Sequence, residues 1–298
     1  MRTYHVIAQL VGVGFLAASA GMAQTPTAQE LLDQMRSGTS PSGRTALPSA
    51  TVLPRPKLSS SSGDDIASEI NLGRGIAEQI LGSVQVLRDP AVQLYVSQVG
   101  QIVAQSGERP TLPWIFGVID TPSLNAFALP GGVILISRGL FEQLDTEDEL
   151  AAVLAHEIAH VQRKHHYKVV KRQQAIADVS ALVRQDQSPA AGLLDAAMKR
   201  STLIVARGLD KGAEYEADRD GMVLTARAGY DSTALLSVLE KLGQASDNGD
   251  GSLLFSTHPS PSDRMAQLAI YEDPGLVDAS RLSPMAARIR SFQSRGQR

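Results

Sequence analysis

His156-Glu157-Ile158-Ala159-His160 lies in the middle of the chain, and its reading decides the fold. In an α-helix, residues four apart stand one above the other on one face, so both imidazoles can reach one metal ion. Glu157 cannot join them from the same turn. It points beside that ion, where it can take a proton from a water held there. One short segment thus supplies two metal ligands and a general base.

The flanks predict the helix that this reading needs. Thr146 followed by Glu149 has the form of a capping box, which satisfies two orphan N–H groups at a helix start. Glu147, Asp148 and Glu149 crowd the first turn, where negative charge suits the helix dipole. Leu150, Val153, Leu154, Ile158 and Val161 recur at helical spacing. Arg163, Lys164 and Lys171 come late, where positive charge is favoured. The expectation is an amphipathic helix running into these basic residues. His165 lies five residues from His160, a poor facing for the same metal, so His165 and His166 read as polar helix-end residues. A five-residue pattern also occurs by chance on ordinary helices, so the rest of the chain carries the decision.

A hydrolytic zinc site wants three protein ligands and one open position. Glu214 is the candidate third ligand, 54 residues beyond His160. It and Asp218 share one face of a second predicted helix, through Met222 and Leu224 towards Ala228. Asp218 would accept the Nδ1–H of a ligand histidine, His156, fixing its tautomer and raising its basicity. Ala217 and Gly221 are small, so this helix can approach the first closely. Glu216 and Asp220 share the segment, and a solvated acidic face is the alternative. The upstream motif favours ligation.

With these residues in place, the chain resembles the HtpX / CAAX-prenyl-endopeptidase family of gluzincin zinc metallopeptidases. The likeness rests on His156-Glu157-x-x-His160 and Glu214-x-x-Ala217-Asp218, with two more segments in order. These are Asn125-Ala126-Phe127-Ala128-Leu129-Pro130-Gly131-Gly132 and Thr257-His258-Pro259-Ser260, with Asp263-Arg264 close behind. Together they span about Ile66 to Ala269, and the soluble periplasmic BepA-type branch is the nearest in character. The resemblance implies an α+β fold, mainly α-helical: a zincin-type domain with a small sheet whose edge strand borders the cleft. It implies one Zn2+ per chain on His156, His160 and Glu214, with Glu157 as base and Asp218 behind a ligand. Asn125, Ala126, Phe127 and Ala128 would bind an extended substrate through the strand's main chain. Asn125 is either a peptide-orienting residue or a turn residue before the strand. His258 would approach the zinc, either as a latch in the fourth position or as an oxyanion donor. A plain loop histidine is the alternative. Arg264 would pair with a carboxylate near the site or with substrate, or lie on a solvated helix face.

Other elements follow from local signals. Pro130-Gly131-Gly132 reads as a turn into a strand at Val133 to Ser137, and Leu112 to Ile119 is another strand candidate. Helices are predicted at Ile66 to Leu81, Pro90 to Gln105 and Ser232 to Leu242. Tyr167 to Ala206 reads as helical with a break around Gln187 to Gly192, joining the two ligand helices as a lid or plug. Ser260 and Pro261 look like an N-cap and first helical position.

Residues 1–23 read as a secretory signal peptide: Arg2, an apolar run from Val6 to Ala18, then small residues up to Ala23. Residues 24–63 are rich in Ser, Thr, Pro and Gly and read as a disordered linker, with a short helix near Ala28 to Met35. The metallopeptidase domain is placed at 64–273 and a C-terminal extension at 274–298. The absence of cysteine excludes disulfides, thiolate ligands, a cysteine nucleophile and a lipidated cysteine. A net charge of −3 with few aromatic residues and no basic run gives nothing for nucleic acid to bind. No transmembrane span is expected in the mature chain.

The resulting expectation is a periplasmic zinc endopeptidase. Its substrates would be unfolded or misfolded envelope proteins, and its neighbours the outer-membrane assembly machinery. A latent or non-catalytic chaperone using the same cleft is the alternative.

Overall fold

The run Val133-Ile134-Leu135-Ile136 is apolar at every position, the pattern of a strand covered on both faces. The computed structural model, which describes residues 63–184, 209–247 and 258–270, makes it the central strand of a three-stranded sheet. The strands are β1 (Ile115–Ile119), β2 (Ala126–Leu129) and β3 (Val133–Ser137), in the order β1-β3-β2. β1 runs parallel to β3, and β2 antiparallel to it. The expected start of β1 at Leu112 is three residues too early. Leu112 and Trp114 instead lead in through a turn, with Trp114 N–H donating to the Leu112 carbonyl.

Helix α1 (Gly63–Leu81) covers one face of the sheet, burying Ile76, Ala77 and Leu81 against Ile115, Ile119, Leu129, Val133 and Leu135. Helix α2 (Pro90–Gln105) and the helix of the histidine motif cover the other, against Phe116, Val118, Ile134 and Ile136. Asp89 caps α2, its Oδ1 accepting from Ala91 N at 2.9 Å, with Pro90 in the first turn. Gln93 of α2 blunts the outer edge of β1: its side chain exchanges hydrogen bonds with both the carbonyl and the N–H of Val118. The edge of β2 is the one left towards the motif helix. Gly131 and Gly132 make the β2–β3 turn with φ of 77° and 102°, and a Cβ on Gly131 would stand 2.5 Å from Ile70 Cα.

Next come α3 (Arg138–Gln143), α4 (Glu147–Gln162), α5 (His165–Arg184), α6 (Lys211–Arg227), α7 (Ala234–Asp247) and α8 (Pro261–Ile270). Helix α4 carries the motif and corrects the expectation of amphipathicity, since all 16 of its residues are buried. It is an axle, packed by α2, α6, α7 and β2. Its acidic first turn is therefore bound by specific partners. Glu147 accepts from Tyr95 and Tyr230, Asp148 from the Asp231 N–H, and Glu149 from Lys241. The capping box is half as expected. Thr146 Oγ1 accepts from Glu149 N at 3.1 Å, but the Glu149 carboxylate reaches one residue further back, to Asp145 N.

Helix α4 also ends earlier than predicted. Arg163 is its C-cap and Lys164 turns left-handed at φ 57°, so Lys171 belongs to α5. Ion pairs hold this costly turn. Lys164 Nζ meets Asp65 Oδ2 at 2.5 Å, and Arg109, paired with the buried Glu69, donates to the Val161 carbonyl. Helix α6 crosses α4 closely because a Cβ on Gly221 would already stand 3.1 Å from His156 Cα. Gly221→Leu is expected to cost roughly 1–3 kcal/mol by overpacking, read as a lowered urea midpoint. The same separation should weaken metal uptake.

No helix among the described residues is long and apolar enough to cross a membrane. The predicted signal segment, the linker with its short helix, the break at Gln187 to Gly192 and the C-terminal extension lie outside the described residues.

Candidate metal centre

The site forms where α4, α6 and the start of α8 meet. His156 and His160 project from one face of α4, with their Nε2 atoms 3.1 Å apart. Glu214, in the first turn of α6, brings Oε2 to 3.5 Å from His156 Nε2 and Oε1 to 3.6 Å from His160 Nε2. His258, three residues before α8, sets Nδ1 at 2.5 Å from Glu214 Oε2. One donor atom from each of these four residues lies within 4.8 Å of all the others.

The donor set fits a divalent ion of the zinc type. Two imidazole nitrogens and a carboxylate are ligands that zinc accepts, and ligand atoms about 2.0–2.1 Å from a tetrahedral centre stand about 3.3 Å apart. The separations of 3.1, 3.5 and 3.6 Å match that spacing. Glu214 Oε1 is buried without a hydrogen-bond partner, an arrangement that costs free energy unless something else satisfies it.

Electrostatics support the same arrangement. Burial disfavours charge on Glu214, yet His258, His156 and His160 outweigh it and hold the carboxyl ionised, far below the usual range. Burial drives His160 well below the ordinary histidine value, so it is neutral and able to donate a lone pair. Burial and Arg264 oppose charge on His156, but Asp218 and Glu214 prevail and push it up to about 9, marking a basic imidazole. Glu157 is raised, chiefly by burial.

Asp218 lies on the Nδ1 side of His156, with Oδ1 at 2.9 Å from that atom. Arg264 resolves between its readings: it is 5 % exposed and grips both oxygens of Asp218, through Nε at 2.8 Å and through Nη2. The solvated face is excluded. Ser260 Oγ caps α8 by accepting from Asp263 N at 3.2 Å, which fixes His258 and Arg264 on either side of the cap.

The strand segment divides. Ala126 lines a recess of about 30 Å³ together with His156, Glu157, His258 and Arg264. Asn125 precedes the strand and its Oδ1 accepts from Ala126 N at 2.9 Å. Ala128 faces the same side as Ala126, but its backbone is bonded by His166. Alternation turns the Phe127 side chain to the opposite face, towards α1, and its main chain faces Leu135 of β3.

Sequence reasoning missed two groups. His165 and His166 are not polar helix-end residues. The left-handed turn at Lys164 folds them back, and both are buried against His160, with ring centroids 5.1 and 5.6 Å from its own. The other group is the recess's apolar wall, Leu235, Val238, Leu239 and Leu242 of α7. The sequence placed them only within a predicted helix, Ser232 to Leu242.

The chain was compared with known proteins. The model of peptidase family M48 matches residues 90–272. The beta-barrel assembly-enhancing protease of Escherichia coli (strain K12) is 31% identical over 228 residues, covering 73% of this chain and 46% of the relative. The protein of that name from Yersinia pestis is 29% identical over 230 residues, 74% of this chain and 47% of the relative. The mitochondrial metalloendopeptidase OMA1 of Schizosaccharomyces pombe is 35% identical over 181 residues, 59% of this chain and 51% of the relative. The chain thus spans about half the length of the curated relatives it matches. A family match that takes in all four clustered residues, on a mainly helical fold with a small sheet, leads to one assignment: this chain belongs to peptidase family M48.

Proposed function

We infer that the chain is a zinc-dependent endopeptidase, with the ion held by His156, His160 and Glu214. The observation that carries this reading is the cluster of histidine nitrogens and glutamate oxygens, of which His156 and His258 line one recess with Glu157. A bound zinc ion supplies Lewis acidity, lowering the pKa of water and polarising a scissile carbonyl.

The chain's own residues do the rest. Glu157 takes the proton of the attacking water and returns it to the leaving amine. Its burial raises its pKa, which suits a base that must also act as an acid. Asp218, held by Arg264, fixes the tautomer of His156. An extended polypeptide pairs with the main chain of the β2 edge, displacing Asn125 Oδ1 from the Ala126 N–H, so recognition asks for an unfolded substrate rather than a particular sequence. Leu235, Val238, Leu239 and Leu242 of α7 give the recess beside Glu157 an apolar wall. In this reading the substrates are unfolded or misfolded cell-envelope proteins, in keeping with the two relatives named beta-barrel assembly-enhancing protease.

The close contact of His258 with Glu214 favours latency. In this reading His258 would occupy the open position that water and substrate need. His258→Ala is expected to raise cleavage severalfold, measured as initial rates on a fluorescent unfolded protein. A large fall would instead assign His258 to holding the oxyanion.

The test of the function is cleavage of casein by the purified protein. Cleavage should stop with a chelator and return with zinc. Cleavage that survives stripping of the metal would overturn the reading.

A further inference from the structure

The two histidines of α4 are supported differently, and only one support was legible in the spacing. His156 leans directly on a carboxylate, Asp218. Among the described residues, His160 Nδ1 meets no carboxylate. Its Nδ1 lies 2.9 Å from His165 Nδ1, and His165 Nε2 lies 3.1 Å from Glu216 Oε2. We propose that His165 is a positioning residue for His160, relaying its Nδ1 hydrogen bond to Glu216 and so fixing the tautomer that presents Nε2 to the metal. The proposal rests on the reading of His156, His160 and Glu214 as ligands.

Hydrogen placement follows from the chemistry of the chain of groups. His160 must keep the Nε2 lone pair free for the ion, so its hydrogen is on Nδ1. That hydrogen points at His165 Nδ1, which must accept. The hydrogen of His165 is then on Nε2, where the Glu216 carboxylate accepts it. Every hydrogen in this sequence has an acceptor, and the arrangement works in one direction only.

The chain is built to hold His165 there. A helix continued straight through Lys164 would carry position 165 to another face of α4. The left-handed Lys164 turns it back, and that turn is pinned from both sides. Lys164 pairs with Asp65 of α1, and Arg163 Nε pairs with Asp220 Oδ2 of α6 at 2.5 Å. Glu216 lies on the same helix as Asp220, so one packing contact sets both ends of the relay.

The test is zinc affinity of the full chain, by competition with a chromophoric chelator, with metal-free unfolding midpoints measured beside it. His165→Ala should weaken zinc binding about ten- to a hundredfold. His165→Asn, whose Oδ1 can stand where Nδ1 stood, should recover most of that loss. Glu216→Gln alters the half-buried far end of the relay, which also lies 3.5 Å from Arg163 Nε, and should give a smaller loss of affinity at a nearly unchanged midpoint. Undiminished affinity in His165→Ala would overturn the proposal. Equal losses in the Ala and Asn variants would also overturn it, by assigning the effect to packing. Wild-type protein that takes up no zinc would remove the metal centre itself, a different failure from loss of the relay alone.

Discussion

Glu157→Gln is expected to lower cleavage of an unfolded protein by at least about 10²–10⁴-fold while the metal content stays that of the wild type. The amide has the size and shape of the carboxyl but takes no proton near neutral pH. Glu157 is not one of the four clustered residues; it lines the recess beside them, 4 % exposed. Its replacement therefore removes the base and leaves the donors. Metal analysis and a cleavage assay on the same two preparations check both halves. Loss of metal in the variant would mean that Glu157 supports the donor set rather than acting on the water.

What was legible in the sequence was what depends on local periodicity. His156 and His160 meet because a helix returns every 3.6 residues, and Glu214 and Asp218 meet by the same rule on α6. The β2–β3 turn was legible because Gly131 and Gly132 have few other uses side by side. What was not legible depends on where a helix stops and on what covers it. Nothing in Arg163-Lys164 announces a left-handed residue. The turn exists because Asp65, Glu69 and Arg109, all distant in sequence, hold it. With the turn unseen, a spacing of five made His165 look irrelevant, although that turn brings it to 2.9 Å from His160. The burial of α4 was equally hidden. Ala151, Ala152, Ala155 and Ala159 break an amphipathic pattern without contradicting it, and only the packing of four neighbours shows that they too face protein.

Asp218 and Arg264 form the second large expectation, because one ion pair has two roles that mutations can separate. Asp218→Ala leaves the Arg264 guanidinium buried with its carboxylate removed, and breaking such a pair costs about 3–5 kcal/mol. It also frees the Nδ1 of His156 from its acceptor, which should weaken metal binding about ten- to a hundredfold. The double variant Asp218→Leu with Arg264→Met replaces both charges by apolar groups of comparable size. It should regain most of the lost stability, since such replacements are often neutral or better. It should not regain the metal affinity, because neither new side chain can accept from His156. Chemical unfolding of the metal-free proteins reads the first effect, and zinc competition reads the second. A double variant that binds zinc as the wild type does would show that Asp218 serves only to neutralise Arg264. The orientation of His156 would then come from the packing of α4 against α6, where Gly221 already brings the two backbones together.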